Sequence, residues 1–219
     1  MRLPVHKDPT NQKTTSAFGE IIESSLEKFV GQCWMLNNSP RFGSLITVSS
    51  HGRTLFGVVH QIQTKASDPT RQPTPYQLTE DELSRQQPQL LILLRTTFSC
   101  LVIGYQESDR SLHYSLAPQP AKIHAFTHHS SLGEKQLFFE QTLYLPLIFG
   151  SNQELFNLDE LLLAIIKEHL SLGMKPHLFL PAFIENFSLL TGNDYRRLKL
   201  FLQRVEKCLE HNFYERPTI

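Results

Sequence analysis

Three histidines, His124, His128 and His129, fall close together in the stretch KIHAFTHHS. Neutral imidazole nitrogens are common zinc ligands, so this cluster is a candidate metal site. The first two are four residues apart, and that spacing brings side chains together only on a helix. Pro118, Pro120 and the β-branched residues nearby argue against a helix here. The sequence therefore favours surface or loop histidines, and we predict no metal and no cofactor.

Acidic and hydroxyl residues offer two further kinds of chemistry. The tract TEDE places Glu80, Asp81 and Glu82 side by side, where carboxylates could act as general acid and base. Thr79 and Glu82 also match a capping box that opens a short helix, and this is the favoured interpretation. A hydrolase triad lacks its GxSxG turn, since GSLITVS is typical of a strand. We predict a protein that is not an enzyme, with an enzyme of unrecognised chemistry as the weakest hypothesis.

The three cysteines, Cys33, Cys100 and Cys208, are far apart in the sequence and have no CxxC spacing. This pattern fits neither a disulfide framework nor a zinc knuckle, and it is typical of a reducing compartment. Small buried side chains are the favoured interpretation, with reactive thiols as the alternative. The first residues lack the apolar core of a signal peptide, and no apolar run has the length of a membrane span. We therefore expect a cytoplasmic protein.

The C-terminal segment holds the candidate contacts to a partner or to phosphate. They are Arg196, Arg197, Lys199, Arg204 and Lys207. Such cations can contact nucleic-acid phosphates, but Asp194, Glu206 and Glu210 dilute the positive charge. The whole chain has 21 Lys and Arg against 21 Asp and Glu, without the basic excess typical of nucleic-acid-binding proteins. A solvated helix face is the favoured interpretation and nucleic-acid binding the alternative.

Short β-strands joined by tight turns dominate the first part of this chain of 219 residues. Residues 17–24 and 29–36 are predicted as strands, and the turn tract NNSPRFG follows them. LITVSS and LFGVVHQI predict the next two strands, joined by a hairpin turn around Gly52. Four short strands in succession are typical of a small barrel or sandwich.

Residues 64–89 interrupt this pattern with four prolines, at positions 69, 73, 75 and 88. Their first half is expected to be extended or irregular, because proline restricts its own backbone and that of the preceding residue. Long excursions of this kind inside a domain are usually functional or inserted. The loop is therefore a candidate contact surface.

The next segments are predicted as strands. LLILLRTTFSCLVIGY predicts a central strand pair with a bend at residues 95–97, and LHYSLAP predicts another strand. In residues 118–155, LFFEQTLYLPLIFG has a strand-like density of apolar residues. The sequence leaves open whether that segment completes the barrel or forms a separate lid.

Helical periodicity begins after residue 150. One helical face carries Leu158, Leu161, Leu162, Ile165 and His169. Asn157 is a suitable N-cap for this helix, and Gly173 ends it. HLFLPAFIENFSLL predicts a second helix that ends at Gly192, and Asn193 or Asp194 caps a third.

Several tracts resemble the HAS-barrel, the domain at the front of HerA-type ATPases and of the catalytic subunits of F-type ATP synthases. These tracts are Gly19-Glu20-Ile21, then Pro40-Arg41-Phe42-Gly43-Ser44-Leu45-Ile46-Thr47-Val48, then Gly57-Val58-Val59, with TTFSCLVIGY later. The resemblance covers residues 17–117. It implies a small six-stranded barrel. In the ATPases this barrel looks like an assembly collar, which holds the subunits in a ring.

The chain departs from those ATPases after the barrel. It has no GxxxxGK[ST] motif, and the glycines in FGSNQ and TGNDY lack the lysine that reaches the phosphates. The resemblance therefore does not extend to ATP hydrolysis.

Together these patterns predict an α+β protein: an N-terminal six-stranded small β-barrel followed by a small C-terminal helical module. We expect a disordered arm at residues 1–16, a HAS-like barrel at 17–150 with the inserted loop 64–89, and three helices at 151–215. The favoured function is a non-enzymatic assembly or interaction module that binds a protein partner or forms a homo-oligomer. The alternative is an accessory of nucleic-acid transactions that works with a HerA-like translocase.

Overall fold

The computed structural model describes residues 17–68, 70, 74–151 and 157–214. Its strands are β1 (Ala17–Ser24), β2 (Lys28–Cys33), β3 (Leu45–Ser50), β4 (Arg53–Ala66), β5 (Leu94–Gln106), β6 (Leu112–His113) and β7 (Phe126–His129). Its helices are α1 (Glu80–Gln86), α2 (Pro88–Ile92), α3 (Leu132–Phe139), α4 (Leu145–Gly150), α5 (Leu158–Ser171), α6 (Pro176–Leu190) and α7 (Tyr195–Tyr214). The arm expected at residues 1–16 lies outside the described residues.

Six of the strands close into an antiparallel barrel, which confirms the predicted α+β class. The strand order is β2-β1-β7-β3-β4-β5, and pairing of β2 with β5 completes the circle. The two-residue strand β6 is attached to the end of β5. Closure removes the open sheet edges that would otherwise invite aggregation.

Two large aromatic rings fill the narrow barrel interior because glycines leave room for them. A Cβ atom added at Gly31 would lie 2.3 Å from the ring of Phe98, and one at Gly57 would lie 2.7 Å from the ring of Phe29. Both rings are buried in the inner core. The strand alternation therefore directs large side chains inward opposite positions without a side chain.

A second core joins the helices to the outside of the barrel. Alternate residues of β3, β4 and β5 point outward, and these are Leu45, Phe56, Val58, Leu101 and Ile103. They pack against buried side chains from α3 to α7, including Phe138, Ile148 and Phe183. One wall of the barrel thus serves as the platform for the helical module.

The run from Leu90 to Tyr105 differs from the prediction of a strand pair with a bend. Pro88 begins the short helix α2, which includes Leu90, and β5 is then one continuous strand of 13 residues. Its long ladder with β4, from Thr54 opposite Gln106 to Ala66 opposite Leu94, keeps it extended. Local sequence does not encode that pairing.

The segment between residues 112 and 150 also differs from prediction. Only Leu112 and His113 of LHYSLAP pair as a strand, and the polar tract FTHH forms β7, which closes the barrel between β1 and β3. The apolar stretch expected to be strand-like folds instead as helices α3 and α4. A capping box of Ser131 and Glu134 begins α3, and Phe138 and Phe139 turn toward the helical core.

The predicted C-terminal helices are confirmed. The Asn157 side chain accepts a hydrogen bond from the Glu160 amide at the start of α5, and Asp194 accepts one from the Arg197 amide at the start of α7. Gly173 follows α5 with a positive φ of 76°, as a C-terminal stop requires.

Within the part of the chain that the structure describes, no helix combines the length and apolar character needed to cross a membrane.

Candidate functional site

The three histidines predicted as surface or loop residues lie on different features of the barrel. His124 is exposed in a loop with a positive φ of 66°, and His128 and His129 are consecutive residues of β7. Consecutive strand residues point to opposite faces, and the His129 ring stacks on Phe18 at a centroid distance of 4.2 Å. Among the described residues, no group of three or more His, Cys, Asp or Glu side chains could hold a metal ion.

The acidic tract at α1 has the predicted capping geometry. The Thr79 hydroxyl accepts a hydrogen bond from the Glu82 amide, and the Glu82 carboxylate accepts one from the Thr79 amide at 2.8 Å. The bonds from Thr79 also lower the pKa of Glu82, so this carboxylate is ionised and bound to the helix start. This arrangement accounts for Glu82 without any acid–base chemistry.

Two of the three cysteines are buried in the barrel interior, and Cys208 is half-buried beside the helical core. Burial raises the pKa of Cys33 to about 11 and the pKa of Cys100 well above its ordinary value. Both side chains are therefore neutral thiols at physiological pH, which are poor nucleophiles.

The structure divides the five candidate cations of α7 between two faces of the helix. Arg197 donates a hydrogen bond to Asp159 of α5, with an Nη2–Oδ1 distance of 2.6 Å. Arg204 forms an ion pair with Glu160, which is also in α5. The Arg197 guanidinium also lies over the ring of Phe187, 5.7 Å from its centroid. These two arginines therefore connect α7 to α5 and α6.

The other three cations, Arg196, Lys199 and Lys207, are exposed. Their spacing places them along one solvent-facing side of α7. A cleft of about 390 Å³ lies beside this side, and its lining combines Arg204 and Lys207 with the carboxylate of Asp159. The local charge is therefore mixed.

Sequence reasoning missed an exposed aromatic pair on the barrel wall. Trp34 directly follows β2 and is 50% exposed, and Phe126 begins β7 and is 38% exposed. Their ring centroids are 5.4 Å apart and their planes are nearly perpendicular, at 85°. The sequence signal is the lone tryptophan, Trp34, which falls within the strand predicted for residues 29–36.

A carboxylate and an imidazole hold this pair in place. The Trp34 indole N–H donates to Glu20 Oε1 at 3.2 Å, and Glu20 Oε2 lies 3.2 Å from His124 Nδ1. Glu20 is directly opposite Phe126 in the ladder between β1 and β7. We call these four residues, with the exposed neighbours Met35 and Ile123, the barrel-wall patch.

The barrel-wall patch is formed by β1, the start of β7 and the loop residues that follow β2 and precede β7. The buried outward residues that join the helical core come from β3, β4 and β5, and Leu112 of β6 packs against that core. The patch is therefore on the wall that the helical core leaves uncovered.

No family model matches the chain, and no curated protein matches it.

Proposed function

We propose that the protein is a non-enzymatic assembly module that binds a protein, either a partner or another copy of this chain, through the barrel-wall patch. The observation that carries this proposal is the Trp34–Phe126 pair, two exposed aromatic side chains whose rings are in contact. Tryptophan is among the residues most enriched in binding hot spots, and aromatic residues and methionine are enriched across interfaces.

The hydrogen bonds around the pair also suit an interface. The bond to Glu20 fixes the indole orientation, so little side-chain freedom is left to lose when a partner covers the ring. Glu20 and His124 form a polar edge beside the rings. An apolar centre beside a polar rim is the usual arrangement in protein interfaces.

The HAS-barrel resemblance supports the same proposal. One of its tracts, Gly19-Glu20-Ile21, lies in β1, and Glu20 is a member of the patch. In the ATPases the barrel resembles an assembly collar, and we propose a corresponding role here. ATP hydrolysis is not part of this proposal, because the sequence has no GxxxxGK[ST] motif.

The alternative is an accessory of nucleic-acid transactions, a companion of a HerA-like translocase that contacts phosphate through α7. It is favoured by the exposed side that Arg196, Lys199 and Lys207 share. It is weakened by the ion pairs of Arg197 and Arg204, since those charges already have carboxylate partners.

The test is affinity purification of the tagged protein from its own cells, with and without nuclease, for the wild type and two variants. Wild type and Leu189→Ala should retain a stoichiometric protein partner, or a self-associated form, after nuclease treatment. Trp34→Ala should lose it. Leu189 is the matched control because it is a large apolar residue on α6 and is 63% exposed. Recovery that nuclease abolishes, or that Trp34→Ala leaves intact, would contradict the proposal.

A further inference from the structure

Strands β4 and β5 extend beyond the rest of the barrel. The ladder between β3 and β4 ends at Val58, and Val59 makes the last backbone bonds on that side, to the residues just before β3. Among the described residues, β4 pairs only with β5 from Gln61 to Ala66. One side of this stretch is therefore an open strand edge, and we call residues 61–66 the β4 edge.

The backbone of the β4 edge directs unbonded polar groups outward. The Ser67 amide donates to the Leu93 carbonyl at 2.7 Å, at the end of the ladder with β5. Hydrogen-bonded pairs alternate with non-hydrogen-bonded pairs along an antiparallel ladder, so Ile62, Thr64 and Ala66 direct their N–H and C=O groups away from β5. Within the described part of the chain, no hydrogen bond reaches these groups from another segment. Such an edge is a template for a further strand.

The two faces of the β4 edge differ in chemistry. Ile62 is opposite Phe98 of the inner core, and alternate residues along a strand share a face. The even-numbered residues therefore continue the inner face of the barrel with small or apolar side chains. The odd-numbered residues, two glutamines and a lysine, lie on the outer face and are exposed.

The outer face of this ribbon carries two cations side by side. Lys65 is directly opposite Arg95 in the ladder, and like charges in this position destabilise a sheet. Neither cation takes part in any of the ion pairs among the described residues, and Nε of Arg95 is buried without a hydrogen-bond partner. Asp68, the carboxylate that follows β4, accepts hydrogen bonds from the amide and hydroxyl of Thr70. A carboxylate from outside the chain would relieve the repulsion between Lys65 and Arg95.

We propose that the β4 edge binds an extended acidic segment of a partner protein, which adds a strand to the sheet. Backbone hydrogen bonds to the even-numbered residues supply affinity, and the side chains of alternate residues supply specificity. The segment places apolar side chains beside Ile62 and Ala66 and carboxylates beside Lys65 and Arg95. A second copy of this chain is disfavoured, because pairing two β4 edges would bring a second Lys65–Arg95 pair to the same sheet. This edge is separate from the barrel-wall patch and does not depend on the function proposed for that patch.

The test uses an acetylated and amidated octapeptide that alternates glutamate and valine, titrated into the full chain at pH 7. The amide NMR signals of Ile62, Thr64 and Ala66 should shift, and at saturation their hydrogen exchange should slow by about tenfold or more. The same peptide with lysine in place of glutamate should bind about tenfold more weakly. Lys65→Glu should weaken binding of the glutamate peptide by a similar factor, and Lys167→Glu is the control at an exposed position on α5.

Backbone methylation of the peptide tests the added strand itself. The valines lie opposite the even-numbered residues of the β4 edge, so N-methylation of the valines removes the amides that bond to β4 and should abolish binding. N-methylation of the glutamates should leave binding intact, because those amides point away from β4.

The absence of saturable shifts at Ile62, Thr64 and Ala66 would overturn the proposal. Tighter binding of the lysine peptide, or equal binding of the two methylated peptides, would overturn it as well. Trp34→Ala should leave peptide binding unchanged, and loss of binding in that variant would place the peptide on the barrel-wall patch instead. A ten-nucleotide oligothymidylate that shifts the same signals when the peptide does not would assign the two cations to nucleic acid and refute the acidic segment.

Discussion

The hydroxyl group of Tyr144 lies 3.5 Å from Nε2 of His169, and both residues are fully buried in the helical core. His169 Nδ1 lies 2.7 Å from the carbonyl oxygen of Ile165 one turn earlier, so Nδ1 carries the proton and donates it. Nε2 is then the acceptor for the tyrosine hydroxyl. The rings of Phe139 and Phe179 pack against the imidazole. The surroundings therefore suit a neutral histidine and oppose a charged one.

The first prediction concerns pH and stability. Burial lowers the pKa of His169 to about 4 from an ordinary value of 6.5. Between these values the unfolded chain binds a proton that the folded chain does not bind, so the free energy of unfolding falls as pH falls. The contribution is fully present above pH 6.5 and should decrease by about 3 kcal/mol by pH 4.

Urea unfolding of wild type and His169→Phe at several pH values between 7 and 4 measures this contribution. The variant should show a smaller pH dependence over this window, because phenylalanine does not titrate. His177→Gln is the control, since His177 is exposed on α6. Equal pH dependence in wild type and His169→Phe would refute the assignment.

The second prediction tests the packing of the barrel. Gly31→Ala should destabilise the fold by about 2 kcal/mol, because the new methyl group would overlap the buried ring of Phe98. Gly133→Ala is the matched control: Gly133 is in α3, and an added Cβ would have nothing within 4 Å. That variant should be neutral or more stable by up to about 1 kcal/mol. The denaturant midpoint should therefore fall for Gly31→Ala and should stay the same or rise for Gly133→Ala.

The sequence was sufficient for the features that local chemistry determines. The hairpin turn at Gly52, with its positive φ of 74°, and the capping boxes and N-caps of α1, α5 and α7 can be identified from a few neighbouring residues. Strand alternation and closely spaced turns were enough to predict a small barrel or sandwich, and the HAS-barrel resemblance favoured the barrel. Each of these signals acts within a few residues, and the tertiary structure agrees with them.

The features that sequence reasoning missed depend on distant partners. FTHH is short and polar, and it is a strand only because β1 and β3 pair with its two edges. The stretch around Phe138 and Phe139 is apolar enough for either type of element, and burial against the outer barrel wall favours the helix. The patch was missed for the same reason, since no local signal shows that Trp34 would stay exposed beside Phe126.

The third prediction separates the structural arginines of α7 from the exposed ones. Arg197→Ala should lower the free energy of unfolding by about 1 kcal/mol, because the substitution removes both the ion pair with Asp159 and the contact with the Phe187 ring. Arg196→Ala should have little effect, since Arg196 is exposed. A double-mutant cycle with Asp159→Asn measures the ion pair itself, and zero coupling would show that the pair contributes nothing.

The fourth prediction uses salt to distinguish the two proposed functions. Contact through Trp34 and Phe126 is mainly apolar, so retention of a protein partner should change little between 50 and 200 mM salt. Phosphate binding by Arg196, Lys199 and Lys207 would instead weaken by about 40-fold over that range if each cation neutralises one phosphate. Arg196→Glu with Lys199→Glu should therefore leave partner retention unchanged, whereas Trp34→Ala should abolish it. The reverse pattern, with steep salt dependence and loss only in the charge-reversal variant, would favour the nucleic-acid accessory, because cations that neutralise phosphates release counterions and binding then falls steeply with salt.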